Sequence, residues 1–342
     1  MPIKSSTKRT VNVAVAGLGF MGVTHLRTYQ QIRNVRIVAV CGVGRLPVNG
    51  LLRGVAGNIQ QPDDINLGPG VRVYTDFAEL LKDPNVDLVD ICTPTDLHPA
   101  QAIAALQAGK HVVCEKPLAT TLSAARKVVR LAAKSPQFLM PAMCMRFWPG
   151  WGWLKAAVTE KKYGRVLAAG FRRVSEKPAW SQTGTHAGGA LLDLHIHDTD
   201  FVNFLFGRPS AVFAAGVTDA VGVVDHVVAE YIYPDGPQVH AEGSWLLARG
   251  FNMSFVIHCE RATIDFDLTR GPGALVITER GKKPKTVKLK ATDGYAEEIR
   301  YFIDCVTQNR RPVTVSPEDC LTALEICVAE EKSVRTGRIV NL

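Results

Sequence analysis

Val11-Asn-Val-Ala-Val-Ala16-Gly17-Leu-Gly19-Phe-Met-Gly22 is the stretch on which the fold turns. Its first six residues form a short apolar run suited to a buried parallel strand. A Gly-x-Gly-x-x-Gly turn follows at once, and Val23 to Arg33 reads as a helix. Strand, glycine turn and helix in that order are the pattern of a dinucleotide site. Gly17 permits the tight turn, Gly19 lets backbone approach a pyrophosphate, and Gly22 lets helix pack on strand. With Phe20 and Met21 they form the expected cofactor cradle. The phosphates would sit at the helix N-terminus, where free N–H groups and the dipole favour anions.

Working outward, the alternation continues. Strands are expected at Val35–Cys41, Val71–Tyr74, Asp87–Cys92 and His111–Cys114. Helices are expected at Asp76–Leu81, Pro99–Ala108 and Leu122–Lys134, with Asp76 as an N-cap and Gly109 as a stop. Gly42 to Gly70 reads as a long irregular loop. Alternation of this kind implies a doubly wound parallel sheet. Beyond about residue 145 the pattern changes. Val166–Val174 reads as a strand and Gly188–Phe206 as a helix. Hairpin signals follow at Pro234-Asp-Gly236, Arg249-Gly250, Arg270-Gly-Pro-Gly273 and Arg280-Gly-Lys, and Tyr295–Gln308 and Pro317–Arg335 close the chain as helices. The expected fold class is α/β: an N-terminal Rossmann domain over 11–144, then an α+β domain with a large, mostly antiparallel open sheet over 145–342. Residues 1–10 are read as a disordered lead.

Composition is that of an ordinary globular protein, with 46% hydrophobic and 21% charged residues. No apolar run reaches membrane-spanning length, and the basic N-terminus lacks the apolar stretch of a secretory signal, so a cytoplasmic protein is expected. The eight cysteines are scattered without a C-x-x-C pair, which reads as buried reduced thiols. The net charge of +8 has a location: residues 1–62 hold eight Lys and Arg and no Asp or Glu. The basic residues stand singly, with no basic run and no interleaved aromatics, which argues against nucleic acid and for a positive field around an anionic nucleotide.

The second strand of a dinucleotide fold normally ends in an acid that binds the adenosine ribose. Here it ends Val40-Cys41-Gly42, with no acid nearby and Arg45 just beyond. An arginine there can hold a ribose 2′-phosphate, so the cofactor is NAD or NADP, with NADP favoured. Thr93-Pro94, and His98 after them, follow the strand that ends at Cys92. They lie at the sheet edge where ligands bind, though His98 is equally readable as a cap or core residue.

Two stretches carry chemistry. Glu115-Lys116-Pro117 ends the strand that starts at His111, which puts the lysine where a parallel strand opens onto the nucleotide, beside the nicotinamide and the substrate hydroxyl. In Asp193-Leu-His195-Ile-His197-Asp198-Thr-Asp200, helical spacing puts Asp193, His197 and Asp200 on one face. Asp193 can then orient and charge-tune His197, while His195 and Asp198 point elsewhere. His-x-His-Asp is also similar to metal-bound hydrolases, but that reading needs a strand, and the apolar run here is too long for one. No metal is expected. Oxidising an alcohol requires a base for its hydroxyl proton, for which His197 has the right range. Lys116 would stabilise the developing alkoxide.

At these residues the sequence resembles the glucose–fructose oxidoreductase/inositol dehydrogenase (Gfo/Idh/MocA) family. The resemblance takes in the glycine fingerprint, Thr93-Pro94 with His98, Ala108-Gly-Lys-His-Val-Val-Cys-Glu-Lys-Pro117 and Arg146-Phe-x-Pro149. It continues through Gly188-Gly…Asp193…His197…Asp200 to Glu318-Asp…Ala323-Leu-Glu325…Arg335-Thr-Gly337. It implies NAD(P)-linked oxidation or reduction of sugars, cyclitols or related polyols, with Lys116, Asp193 and His197 on the catalytic positions. It also implies a homodimer or homotetramer built through the open sheet. Two departures are His195, where many members have glycine, and Gly42 in place of the ribose-binding acid.

Substrate contacts are expected from Lys116, Asp193 and His197 together with Arg146 and Trp180. The tryptophans of Phe147–Trp153 read rather as core or interface packing. Arg172, Arg173 and Lys177 read equally as anion contacts or a solvated strand face. A hydrolase or eliminase of the same fold with tightly held cofactor, and a non-catalytic nucleotide sensor, stand as alternatives.

Overall fold

A computed structural model describes residues 9–44, 46–55, 64–179, 181 and 188–342. The chain divides into two compact units. The first holds the described residues up to Ala119, then Ser123–Ala142 and Tyr295–Pro317; the second holds Thr120–Leu122, Met143–Gly294 and Glu318–Leu342. The sequence reading drew one cut, after residue 144. The units instead interleave, because the segment Tyr295–Pro317 returns to the first.

The first unit is a six-stranded parallel sheet: β1 Val11–Ala16, β2 Val35–Cys41, β3 Arg72–Tyr74, β4 Leu88–Ile91, β5 His111–Glu115 and β6 Leu139–Ala142. Their spatial order is 3-2-1-4-5-6. Chain order therefore reverses between β1 and β4, the switch point at which such sheets open a ligand crevice. Val13, Val15, Val40, Val89, Val112 and Val113 are all wholly buried, as strands covered on both faces require. Helices α1 Phe20–Gln30, α2 Phe77–Leu81, α3 His98–Gln107 and α4 Leu122–Lys134 make the crossovers. Asp76 caps α2 by accepting from the Ala78 N–H at 2.7 Å, and Gly109 stops α3 at φ 75°. The 42–70 loop holds a two-residue hairpin, Leu51–Leu52 against Ile65–Asn66.

The second unit is built on a nine-stranded sheet. Its strands are β7 Val166–Glu176, β8 Ala211–Thr218, β9 Val224–Ile232, β10 Gln238–Ser244, β11 Leu246–Cys259, β12 Ala262–Asp267, β13 Leu275–Glu279, β14 Lys285–Thr286 and β15 Val340–Asn341, in the order 14-13-12-11-7-10-9-8-15. All neighbours are antiparallel except β7 with β10. Three expected hairpins are present. Arg249-Gly250 is not a hairpin: β11 runs through it, and register jumps from Leu246↔Glu176 to Phe251↔Ser175. Gly250, at φ 86°, serves a bulge there. Helix α5, Pro149–Thr159, brings Trp151 into the core, edge-on to Phe255 at 5.0 Å and Phe266 at 4.7 Å. The core reading of that tryptophan holds. Helices α6 Ile196–Phe206, α7 Gly294–Thr307 and α8 Pro317–Thr336 complete the chain. No described helix is long and apolar enough to cross a membrane.

Candidate active site

The glycine turn has the local geometry its sequence demands. Gly17 sits at φ 90°, and a Cβ there would run into the Cys92 carbonyl. Its N–H donates to Cys41 O at 2.9 Å, while the Cys92 N–H donates to Ala16 O at 2.7 Å, so β1, β2 and β4 converge beneath the turn. A Cβ on Gly22 would strike the Gly17 carbonyl. Around Gly19 nothing lies within 4 Å of a built Cβ, which is the open approach an anionic group needs. Gly19 is the N-cap of α1, whose first turn carries no acid and no side-chain cap. Phe20 and Met21 are half-buried at that helix start, where an N-terminal dipole and unpaired N–H groups receive phosphate. The residues present therefore suit a dinucleotide.

At the end of β2, Cys41 is buried, and burial pushes its thiol up to about 11. The Gly42 N–H donates to Tyr74 O at 3.1 Å; residues 42–44 carry no acid, and the carboxylate that acts on Cys41 comes from Asp76, the cap of α2. Arg45 lies outside the described residues, as does Trp180.

Thr93 donates from Oγ1 to Gln101 at 2.6 Å, and Pro94 opens a 3-10 turn. His98, expected among the cofactor contacts, is buried. Its Nδ1 lies 2.9 Å from Pro117 O and its Nε2 2.8 Å from Thr93 O. Burial lowers its pKa against the pull of those two carbonyls. His98 thus ties the Thr-Pro loop to Glu-Lys-Pro and presents no ring nitrogen to a ligand. Glu115, the last residue of β5, is buried too; its Oε2 accepts from the Lys116 N–H at 3.1 Å. Lys116 is half-buried at the C-terminal edge of the sheet, and its peptide to Pro117 is cis.

In the second unit, Gly188 and Gly189 (φ 72° and 71°) start the helix that carries Asp193 and His197. Leu191–His195 winds as a π turn before α6 begins. Such turns recur at functional sites. From Gly189 to Val202 every residue is buried except Asp193 and His197, which are half-exposed four residues apart. The expected face is therefore real but narrower than expected, because Asp200 is not on it. Asp200 is buried and takes Arg146 in a bidentate pair at 2.9 and 2.6 Å, with Asp319 on the other guanidinium nitrogen at 3.2 Å. Burial works against the Arg146 charge, but Asp200 and Asp319 raise its pKa. Arg146, expected to touch substrate, is thereby committed to holding α6, with Phe204 against its guanidinium at 4.4 Å.

Three more groups fix this helix. Asp198 pairs with buried Arg173 at 2.7 and 3.1 Å. Thr199 bonds Tyr231 at 3.0 Å and Glu330 at 3.2 Å. His195, which stands where many family members have glycine, is wholly buried, its Nε2 3.3 Å from Tyr231 Oη and 3.4 Å from Glu330. A Cβ on Gly243 would meet its ring at 2.8 Å, so glycine on β10 makes the room. Of the other expected cations, Arg172 pairs with Glu242 at 3.0 Å and Lys177 with Asp225 at 2.5 Å. Sequence reasoning took Arg173 for an anion contact or a solvated residue and missed Tyr231, Glu330 and the group of buried His25 and Asp90 with half-buried Cys92, whose polar side-chain atoms lie within 4.8 Å of one another. Asp90 left one signal: a lone acid in the apolar strand Leu88–Ile91.

Two profiles of one family match the chain. The oxidoreductase-family NAD-binding Rossmann domain (GFO_IDH_MocA) covers residues 11–143, and the GFO/IDH/MocA C-terminal domain covers 151–265. Myo-inositol 2-dehydrogenase of Thermotoga maritima is 27% identical over 97% of this chain and 98% of that protein. Trans-1,2-dihydrobenzene-1,2-diol dehydrogenase of Sus scrofa is 34% identical over 49% of this chain and 51% of that protein. The structure of levoglucosan dehydrogenase in complex with NADH and levoglucosan shares the fold at a TM-score of 0.83 and 22% identity, covering 98% of this chain and 99% of that one. The chain belongs to the Gfo/Idh/MocA family of oxidoreductases, built on an NAD-binding Rossmann fold.

Proposed function

We propose that the protein is an NAD(P)-linked dehydrogenase acting on a hydroxyl of a sugar, cyclitol or related polyol. The observation that carries the reading is the exposure pattern from Gly189 to Val202, where Asp193 and His197 alone emerge from a buried stretch of helix. His197 takes the hydroxyl proton and Asp193 orients it. Lys116 supplies positive charge where oxygen becomes anionic. The nicotinamide, when bound, supplies hydride acceptance. The names of the myo-inositol, dihydrodiol and levoglucosan dehydrogenases support a ring-hydroxyl substrate.

The test is calorimetric titration with NADPH and NADH, followed by a polyol and sugar screen with Lys116→Ala and His197→Ala. Each variant should lose about 10²–10⁴-fold in turnover, and turnover left intact in either would remove that residue from the chemistry. The missing acid at Cys41-Gly42 supports NADP over NAD. Gly42→Asp should move preference toward NADH, and an unmoved preference refutes this. Phe213, Val228 and Val256 are exposed on one face of the nine-stranded sheet, which supports self-association through it. Sedimentation should give a dimer or tetramer, and a monomer refutes it.

A further inference from the structure

Asp90 is wholly buried in the central strand β4. A carboxylate there is costly unless it is paired and hydrogen-bonded. Its Oδ2 takes His25 Nδ1 at 2.8 Å and the Tyr29 hydroxyl at 2.9 Å, and its Oδ1 accepts from Cys92 Sγ at 3.4 Å. His25 and Tyr29 belong to α1, the helix that begins at the glycine turn. The other ring nitrogen of His25 faces Oε1 of Glu115 at 3.5 Å. The second oxygen of Glu115 holds the Lys116 N–H. One imidazole thus stands between two buried carboxylates and joins the anion-binding helix to the strand end that carries the lysine. Both histidine nitrogens act as donors only in the imidazolium.

We propose that His25 is a positioning residue: an imidazolium that donates to Asp90 and faces Glu115 as an ion pair, coupling the α1 phosphate cradle to Lys116. This rests on the proposed cofactor site and deepens it. Burial raises the Glu115 carboxyl, while His25 and then Lys116 pull it down. The groups facing the ring are Asp90 and Cys92 from β4 and the turn after it and Glu115 from the end of β5; Lys116 acts on Glu115, and Tyr29 of α1 on Asp90. Glu298 on α7 acts on Tyr29. The rival arrangement puts the proton on Glu115, which then donates to a neutral ring.

The protonation state is read by nitrogen-15 NMR of histidine-labelled protein at pH 7, with the His25 signals assigned by their loss in His25→Gln. Two protonated ring nitrogens are expected, and a neutral ring overturns the proposal. The coupling is read by calorimetry with NADPH and NADH. His25→Gln should weaken the tighter nucleotide tenfold or more, at about 1.4 kcal/mol per tenfold. Tyr29→Phe, which keeps the imidazole and both carboxylates, should change it less than about twofold. Unchanged affinity in folded His25→Gln, or equal losses in both variants, would overturn the coupling. Should His25→Gln not fold, Glu115→Gln removes the same link isosterically and should give the same tenfold loss. A wild-type chain that binds neither nucleotide would sink the cofactor reading itself, whereas a wild type that binds beside an unaffected His25→Gln sinks only this inference.

Discussion

The glycine turn of the first unit and the helix of the second place their groups by opposite means. At Gly17–Gly22 shape does it: the backbone adopts φ 90° at Gly17, and two glycines leave no room for a Cβ. Along α6 charge does it: Arg173 holds Asp198 and Arg146 holds Asp200, all four buried. A shape-built site should bear the loss of a charge better than the gain of a carbon atom. A charge-pinned helix should behave the other way round.

The hardest test of that contrast is Arg146→Ala. Removing one member of a buried pair strands a carboxylate and costs about 3–5 kcal/mol. Urea unfolding should show this loss, and Arg146→Met combined with Asp200→Leu should recover most of it. A loss too small to resolve would show that the helix is not pinned by charge. Next comes Gly17→Ala, for which positive φ alone costs about 1–3 kcal/mol. Gly19→Ala, at φ −77° with open space around it, should leave the unfolding midpoint where it was. If the two alanines proved equal, shape would not be the organising constraint. Asp76→Ala, away from either device, should cost about 1 kcal/mol as an ordinary N-cap loss. It sets the scale for the other two.

The smallest effect is a slope. Burial raises Glu115 above 4.5, so the folded chain keeps that proton to higher pH than the unfolded chain. The stability from this group is present below 4.5 and is lost as pH rises through the folded value. Glu115→Gln should therefore gain on the wild type over that rise, measured as urea midpoints between pH 4 and pH 7. A parallel pair of curves would contradict the direction of the shift.

The same contrast explains what could be read in advance. Shape leaves marks in local sequence: the ends of β1 and β2 and of α4 were legible because apolar runs and breakers bound them. So was Asp76 as a cap. Strand β6 was missed because Leu139-Met-Pro-Ala142 is short and holds a proline, which only an edge strand tolerates, and β6 is an edge. Arg249-Gly250 misled because a left-handed glycine serves a bulge as well as a turn. Charge pairing leaves no local mark. Arg146 meets Asp200 from 54 residues away and Arg173 meets Asp198 from 25, so these arginines looked like substrate or solvent contacts. The face bearing Asp193 and His197 was legible from i, i+4 spacing, but the burial of Asp200 and His195 depends on partners on β9 and α8 and on Arg146.

The interleaving of the two units bears on how the chain comes to be folded. Residues 295–317 finish the first unit, and residues 318–342 finish the second, with Val340 and Asn341 pairing onto β8. Strand β7 likewise waits for β10 and β11, which lie some seventy residues later, before it has either neighbour. During synthesis the first unit is complete only once residue 317 has been made and the second only once residues 318–342 follow, so both should close late. A chain stalled at residue 290 would leave the first unit without α7 and the second without α8 and β15, rather than present one folded domain and one growing one.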